Sequence, residues 1–364
     1  MLRNFIFSLI ISFSFILNIQ SQTKNIQPIY DYLVWQDEFE KNGMPNFEKW
    51  HHQTQLPNGN SWYNGEIQHY TNRIENTFVE DGVLSIAAIK ETYTDQGVTK
   101  QYTSARLNSK FSFTYGRVEV RAKLPSGIGT WPAIWTLGKN IIEPGAYWDL
   151  QGYGTQFWPA CGEIDIMEHW GTNQNFVQSA IHSPSSYGGT INHGGQIIQT
   201  ASSDFHVYTL EWFPDRMIFS VDGIEHYEYN PEVLNPDTWP FDQEQYILLN
   251  FAILPSIDPN FTTDFLEIDY VRVYQETPLN STNQLEKPQL NFSPNPVKSF
   301  ANLETVNESI GGYLSIYSVQ GQLIESFSIV SKNKKIDFSS YASGIYIAHF
   351  VQNNTNQIIK IVKE

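Results

Sequence analysis

The stretch VYTLEWFPDRMIFSVDG, residues 207–223, decides the fold class. In VYTLEW apolar and polar side chains alternate with period two, which turns one set to a core and the other to solvent. FPDRM then supplies turn chemistry before the next apolar run. On both sides the pattern repeats in FVEDGVLSIAAI, GRVEVRAKL, GEIDIME, YILLNFAI and LEIDYVRVY, and helical periodicity is almost absent. More than two hundred residues of such runs between Tyr32 and Tyr274 predict an all-β fold. Two antiparallel sheets, each burying one face, form a jelly-roll sandwich.

The chain has 364 residues, enough for a large core and a second, smaller unit. Residues 1–22 carry Arg3, an apolar run from Phe5 to Leu17 and then small and polar residues, the plan of a secretory signal peptide. That run is too short for a comfortable membrane span, and no later segment approaches one, so no membrane insertion is expected. The single cysteine, Cys161, allows no internal disulfide and is expected to be buried. A formal net charge of -16 argues against nucleic acid as partner. All ten tryptophans lie between Trp35 and Trp239. This composition shift and the polar, proline-bearing stretch ETPLNSTNQLEKPQLNFSPNP divide the chain into a main domain (23–276), a linker (277–292) and a C-terminal domain (293–364). GGYLSIYSVQGQLI, IDFSSYASGIYIAHF and QIIKIVKE make the last part a small β-sandwich with a role in delivery or attachment.

GEIDIMEHWG, residues 162–171, places three carboxylates in an apolar run. On a helix Glu163, Asp165 and Glu168 would spread over about half the circumference. On a regular strand Glu163 and Asp165 share a face and Glu168 opposes them. One extra residue, a β-bulge at Ile166-Met167, returns Glu168 to the same side. The outer pair is then roughly 13 Å apart between Cα atoms, at about 3.3 Å per residue, a gap that twist and two long side chains can close. Retaining glycosidases hold their carboxyls about 5 to 5.5 Å apart and inverting ones roughly 6.5 to 9.5 Å, and long outer acids around a short middle one suit the closer spacing. Glu163 is the expected nucleophile and Glu168 the expected acid and base. Asp165 between them orients the first and helps keep the second protonated. A metal site competes for these acids, but neither HExxH nor CxxC occurs. Acids on a solvent face are also common. The isoleucines between them and the flanking WPACG and HWG favour chemistry.

TWPAIWTLG (130–138) followed by GEIDIMEHWG resembles glycoside hydrolase family sixteen in its laminarinase-like branch. LVWQDEF (33–39), NGEIQHYT (64–71), YTSARLNSKFSFTYGRVEVRAKLP (102–125), FHVYTLEW (205–212) and LEIDYVRVY (266–274) continue the likeness across the main domain. The resemblance implies a concanavalin-like jelly roll with a sugar cleft and a retaining mechanism on the three acids. It needs no cofactor for the chemistry. It implies an endo-acting hydrolase of β-1,3 or mixed-linkage glucans, with a galactan hydrolase of agarase or carrageenase type, or a non-catalytic adhesin, as alternatives. Residues 143–159, an insertion, are expected to shape that choice.

Sugar rings stack on aromatic faces while their hydroxyls take polar partners. By resemblance Trp131 and Trp135 line the cleft, Arg106 the negative subsites, and Asn64 and Glu66 further cleft positions. His182 would sit near the leaving group and tune Glu168. Core packing or simple solvation is the plainer reading of each. The family likeness also implies a structural calcium at Glu38, the Gly82 carbonyl and Asp269. SPNP (293–296), GQLI (321–324), SGIYIAHF (343–350) and KIVKE resemble a type nine secretion sorting domain. With the signal peptide they imply a secreted or cell-surface protein, handled by the secretion machinery and acting as a monomer on a β-glucan polysaccharide.

Overall fold

A computed structural model of the protein describes residues 28–277, 290–305, 312–319, 321–352 and 355–364. Residues 1–22, expected to be a signal peptide, lie outside them, as does most of the expected linker. The chain divides into two compact units at Thr277/Pro278.

The first unit is built from two sheets. Seven strands form one, in the order His193–Ile197, Phe176–His182, Glu163–His169, Thr130–Gly138, Gln245–Ile253, Arg106–Phe113 and Trp50–His52. Ten form the other, centred on Gly116–Lys123, Thr263–Glu276 and Val83–Asp95. The alternation read in the sequence is the alternation of burial. Val118, Val120 and Ala122 face the core along Gly116–Lys123, and Tyr208, Leu210 and Trp212 do so along His206–Trp212. Ile134, Ile164, Met167, Ile247, Leu249 and Phe251 meet them from the seven-stranded sheet. Burying such side chains contributes about 1.5–3 kcal/mol each, so the sandwich stands without a disulfide.

Strand Gln245–Ile253 is buried on both faces. Its outer residues Tyr246 and Leu248 pack with Leu137, Ile141 and the buried Cys161 in a separate small core, against which Trp148 of residues 143–159 also packs. The insertion is therefore anchored, and it walls the cleft described below.

Strand Thr263–Glu276 changes partner between Ile268 and Val271, from Val83–Asp95 to Tyr30–Asp37. The ends of those partners, at Gly82 and Glu38, adjoin the changeover beside Asp269. This is where the family likeness places calcium. Here Glu38 receives two hydrogen bonds from Arg272, at 2.7 and 2.8 Å, and Asp269 pairs with Arg121. As arranged, the donor set does not fit a cation, because each carboxylate is already neutralised by a guanidinium.

The second unit also has two sheets. Leu290–Ser293, Phe300–Thr305 and Asn333–Asp337 make one, and Leu323–Ser328, Tyr313–Ser318, Gly344–Gln352 and Thr355–Lys363 make the other. Its core includes Phe292, Leu303, Ile316, Phe338 and Phe350. The first strand starts at Leu290, inside the stretch read as linker. LNFS does alternate, with Leu290 and Phe292 buried, but four residues beside prolines give too short a pattern to read.

Candidate active site

Strand Glu163–His169 is central, with Thr130–Gly138 on one side and Phe176–His182 on the other. Along the first neighbour Asp165 faces Trp135 and Met167 faces Ile134, so Ile166 is the extra residue. Along the second, Asp165 faces Ala180 and Glu168 faces Gln178. This is the bulge the acid spacing requires. Ile164, Ile166 and Met167 are in the core, while Glu163, Asp165 and Glu168 line a common cavity on the outer face. The flanking glycines have steric reasons. Gly162 has φ +75°, and a Cβ there would come within 2.8 Å of Phe241. A Cβ on Gly171 would run into the Gly127 carbonyl.

The carboxyls meet a polar surround. Trp158 Nε1 donates to Glu163 at 3.0 Å and Trp131 Nε1 donates to Glu168 at 3.1 Å. His182 lies opposite Glu163 in register, with Nε2 3.1 Å from Asp165 Oδ2 and 3.6 Å from Glu163. Its Nδ1 accepts a hydrogen bond from the Gly188 amide at 3.1 Å, which leaves the proton of the neutral ring on Nε2, toward the acids. The geometry to Asp165 is off the line of a hydrogen bond, and Asp165 Oδ2 has no such partner. His182 pairs in register with Glu163 and stands nearest Glu163 and Asp165, and from there it also acts to lower Glu168. Burial pushes Glu163 up to about 8, with the charge of Asp165 adding to it. It takes Asp165 to about 8 as well. Glu168 rises well above the ordinary range, through burial first and Asp165 second. Three such groups cannot all carry charge near neutral pH.

The cavity holding the three acids is about 380 Å³ and is also lined by Asn64, Glu66, Arg106, Trp131 and Trp135. A second cavity of about 630 Å³ shares Asn64, Trp131, Trp158, Glu163 and Glu168 with it and continues past Trp170, Gln178, His182 and His193. The two are halves of one cleft that meet at the carboxyls. All six residues expected to bind substrate therefore reach it. Asn64 does so from a left-handed backbone, φ 56° and ψ 19°, which asparagine tolerates better than most side chains.

Two further features fix the first half. Trp135 Nε1 donates to Asn250 Oδ1 (2.7 Å), Asn250 Nδ2 donates to Tyr70 Oη (3.1 Å), and Tyr70 donates to Glu66 (2.8 Å). This directed chain ends on a carboxylate and pins the indole plane. Arg106 is buried and donates to both oxygens of Glu143 at 3.0 and 3.1 Å, and its guanidinium lies 4.8 Å from the Trp135 ring centroid. Its main visible work is to tie residues 143–159 to the sheet. Sequence reasoning did not single out Asn250, although a lone amide in the apolar run YILLNFAI is a usable signal. It left Trp148, Trp158 and Trp170 unassigned, of which the last two line the cleft. Glu143 carried no signal.

Residues 64–272, more than half of the chain, match the glycosyl hydrolases family 16, and residues 291–364 match a secretion system C-terminal sorting domain. The chain belongs to glycoside hydrolase family 16. It is 43% identical over 260 residues to a beta-glucanase of Rhodothermus marinus, covering 67% of this chain and 85% of that protein. A solved structure of a glutamate-to-serine variant of LamA from Zobellia galactanivorans, in complex with laminaritriose and laminaritetraose, matches with 51% identity and a TM-score of 0.63. That match covers 68% of this chain and all of that one. A beta-1,3-glucan-binding protein of Penaeus monodon is 38% identical over 186 residues, 42% of this chain and 46% of that protein. The protein is thus a jelly-roll glycoside hydrolase carrying an export module.

Proposed function

We propose that this family 16 enzyme cuts β-1,3 linkages inside laminarin-like or mixed-linkage β-glucans with retention of configuration. The observation that carries the reading is the placement of Glu163 and Glu168 on one face, at the waist of a cleft that continues in both directions. A chain threaded through such a cleft is cut internally. Glu163 is less buried than Glu168 and is raised less, so it is the first of the two glutamates to carry negative charge, with the Trp158 N–H directed at it. It attacks the anomeric carbon. Glu168, more deeply buried, keeps its proton and gives it to the departing glycosidic oxygen, then takes one from the water that releases the glycosyl intermediate. Asp165 orients Glu163, and its charge holds the Glu168 proton in place.

A sulfated galactan would call for cationic groups along the cleft. Arg106 is the cation in the lining of its first half, and Glu143 neutralises it. The deciding experiment is release of reducing ends from laminarin, lichenan, agarose and carrageenan by the wild type and by Glu163→Ser. Hydrolysis of the glucans by the wild type alone is expected. Binding without hydrolysis on every substrate would make the protein a glucan-binding adhesin.

The sorting domain fits export by type nine machinery, with the mature enzyme released or surface-bound and monomeric, which sizing of secreted material tests. Calcium at Glu38, Gly82 and Asp269 stays a proposal that requires Arg272 and Arg121 to swing away. A melting temperature unchanged between calcium and chelator would end it.

A further inference from the structure

The bulge at Ile166 is held from behind by a chain of side chains outside the cleft. Gln178 and Ala180 line the cleft, while Ser179 between them points the other way and is fully buried. Its Oγ lies 2.7 Å from the Ile166 carbonyl, the acceptor at the extra residue, and donates to it. The same Oγ lies 2.9 Å from His226 Nε2, on strand Ile224–Tyr229 of the opposite sheet. His226 Nδ1 is 3.1 Å from Gln196 Nε2, which also donates to the Ile224 carbonyl at 3.2 Å. That second bond fixes the Gln196 amide, since the flipped group would set oxygen against oxygen. Every donor in the chain then has one direction. Gln196 donates to Nδ1, the Nε2 proton goes to Ser179, and the Ser179 proton goes to Ile166. Burial lowers His226 to about 4, in keeping with a neutral ring that donates from one nitrogen and accepts on the other.

We propose that His226 and Ser179 are positioning residues for proton donation, fixing the bulge so that Glu168 stays on the face of Glu163. A bulge leaves its extra residue outside the regular ladder, and a one-residue shift would carry the following side chains to the opposite face. The Ser179 hydroxyl holds the carbonyl at that point, and His226 commits the hydroxyl proton to it. The proposal rests on Glu168 being the acid.

The test compares kcat/KM on two aryl β-glycosides of a laminari-oligosaccharide. One has a phenolic leaving group that needs a proton, the other a dinitrophenolate that leaves without one. Ser179→Ala and His226→Phe are expected to lose roughly ten- to hundredfold on the first, as displaced catalytic groups do. They should lose less than about threefold on the second, where acid catalysis is not needed. His226→Gln, whose amide can still donate to Ser179, should recover most of the loss, and the double variant should be no worse than Ser179→Ala. Equal losses on both glycosides, or none, overturn the proposal. Where His226→Phe does not fold, Ser179→Ala, which removes one oxygen, decides alone. Glu168→Gln run alongside separates the two readings: if it too shows no leaving-group dependence, the acid itself has been misassigned.

Discussion

Strand Glu163–His169 of the first unit and strand Gly344–Gln352 of the second are both central in antiparallel sheets, with a partner on each side. The second pairs without a register shift, and Tyr346, Ala348 and Phe350 are buried while the residues between them are not. The first breaks register at Ile166 and buries Asp165 and Glu168 on one face and Ile164, Ile166 and Met167 on the other. The two sandwiches differ in the same sense. The first buries Glu66, Arg106, Glu143, Asp165 and Glu168, whereas Thr305 is the buried polar residue of the second among the described residues. Taking a charge out of water is costly, and a fold that needs only to hold together avoids it. Buried charge around a bulged strand marks the unit that does chemistry; an apolar core marks the one that is carried along.

The largest expected effect on this contrast comes from the bulged strand itself. Glu163→Ser should lower kcat by roughly 10⁴-fold or more while leaving the affinity for laminari-oligosaccharides close to wild type, since the subsites are untouched. Calorimetric titration beside reducing-end assays reads both quantities, and a variant that keeps a tenth of its activity would remove Glu163 from the mechanism.

Next comes the buried pair. Arg106→Met leaves Glu143 buried without its cation and should destabilise the first unit by about 3–5 kcal/mol, seen as an early first transition in urea. Arg106→Met/Glu143→Leu should recover much of that, because no lone charge remains. Trp131→Phe is milder. It removes the N–H that favours ionised Glu168, so the Glu168 pKa rises further. An acid that must be protonated then stays competent to higher pH, and the alkaline limb of the kcat/KM profile should move upward, with kcat down roughly tenfold.

Much of this was legible from residue order. Alternation in VYTLEW and VEVRAKL predicts the faces that are buried, and the odd spacing between Asp165 and Glu168 predicts the bulge, because period two admits no other way to bring the acids together. Contacts between distant segments were not legible. Nothing local couples Arg106 to Glu143, thirty-seven residues away, or turns His182 toward Asp165, and the pairing of Glu38 with Arg272 spans 234 positions. The strand at Leu290 was missed for a different reason, since four residues next to prolines carry too little periodicity.

Stability against pH gives a smaller effect whose sign separates the two units. Glu163 and Asp165 rise from ordinary values of 4.5 and 3.8 to about 8 in the folded chain. Between those limits the native state binds more protons than the unfolded one, so stability is full below the lower value and declines as pH rises toward 8. In the second unit Asp337 is lowered, through hydrogen bonds from Ser339, and slopes the other way as pH falls. Scanning calorimetry from pH 5 to 8 should show the first transition moving down by roughly a few degrees, and Glu163→Gln should flatten that slope.

The smallest effect is expected from removing residues 278–364. Among the described residues each unit closes its own hydrophobic cluster, the first ending at Val273 and the second beginning at Leu290. The cleft-lining residues all lie between Tyr63 and Leu254. Deletion should therefore leave kcat/KM on laminarin within about twofold, as distant independent sites contribute additively, while export of the protein by its host should fail. A loss beyond about tenfold would mean that the sandwich with the apolar core supports the one with buried charge. The division between a unit that works and a unit that is carried would then be wrong.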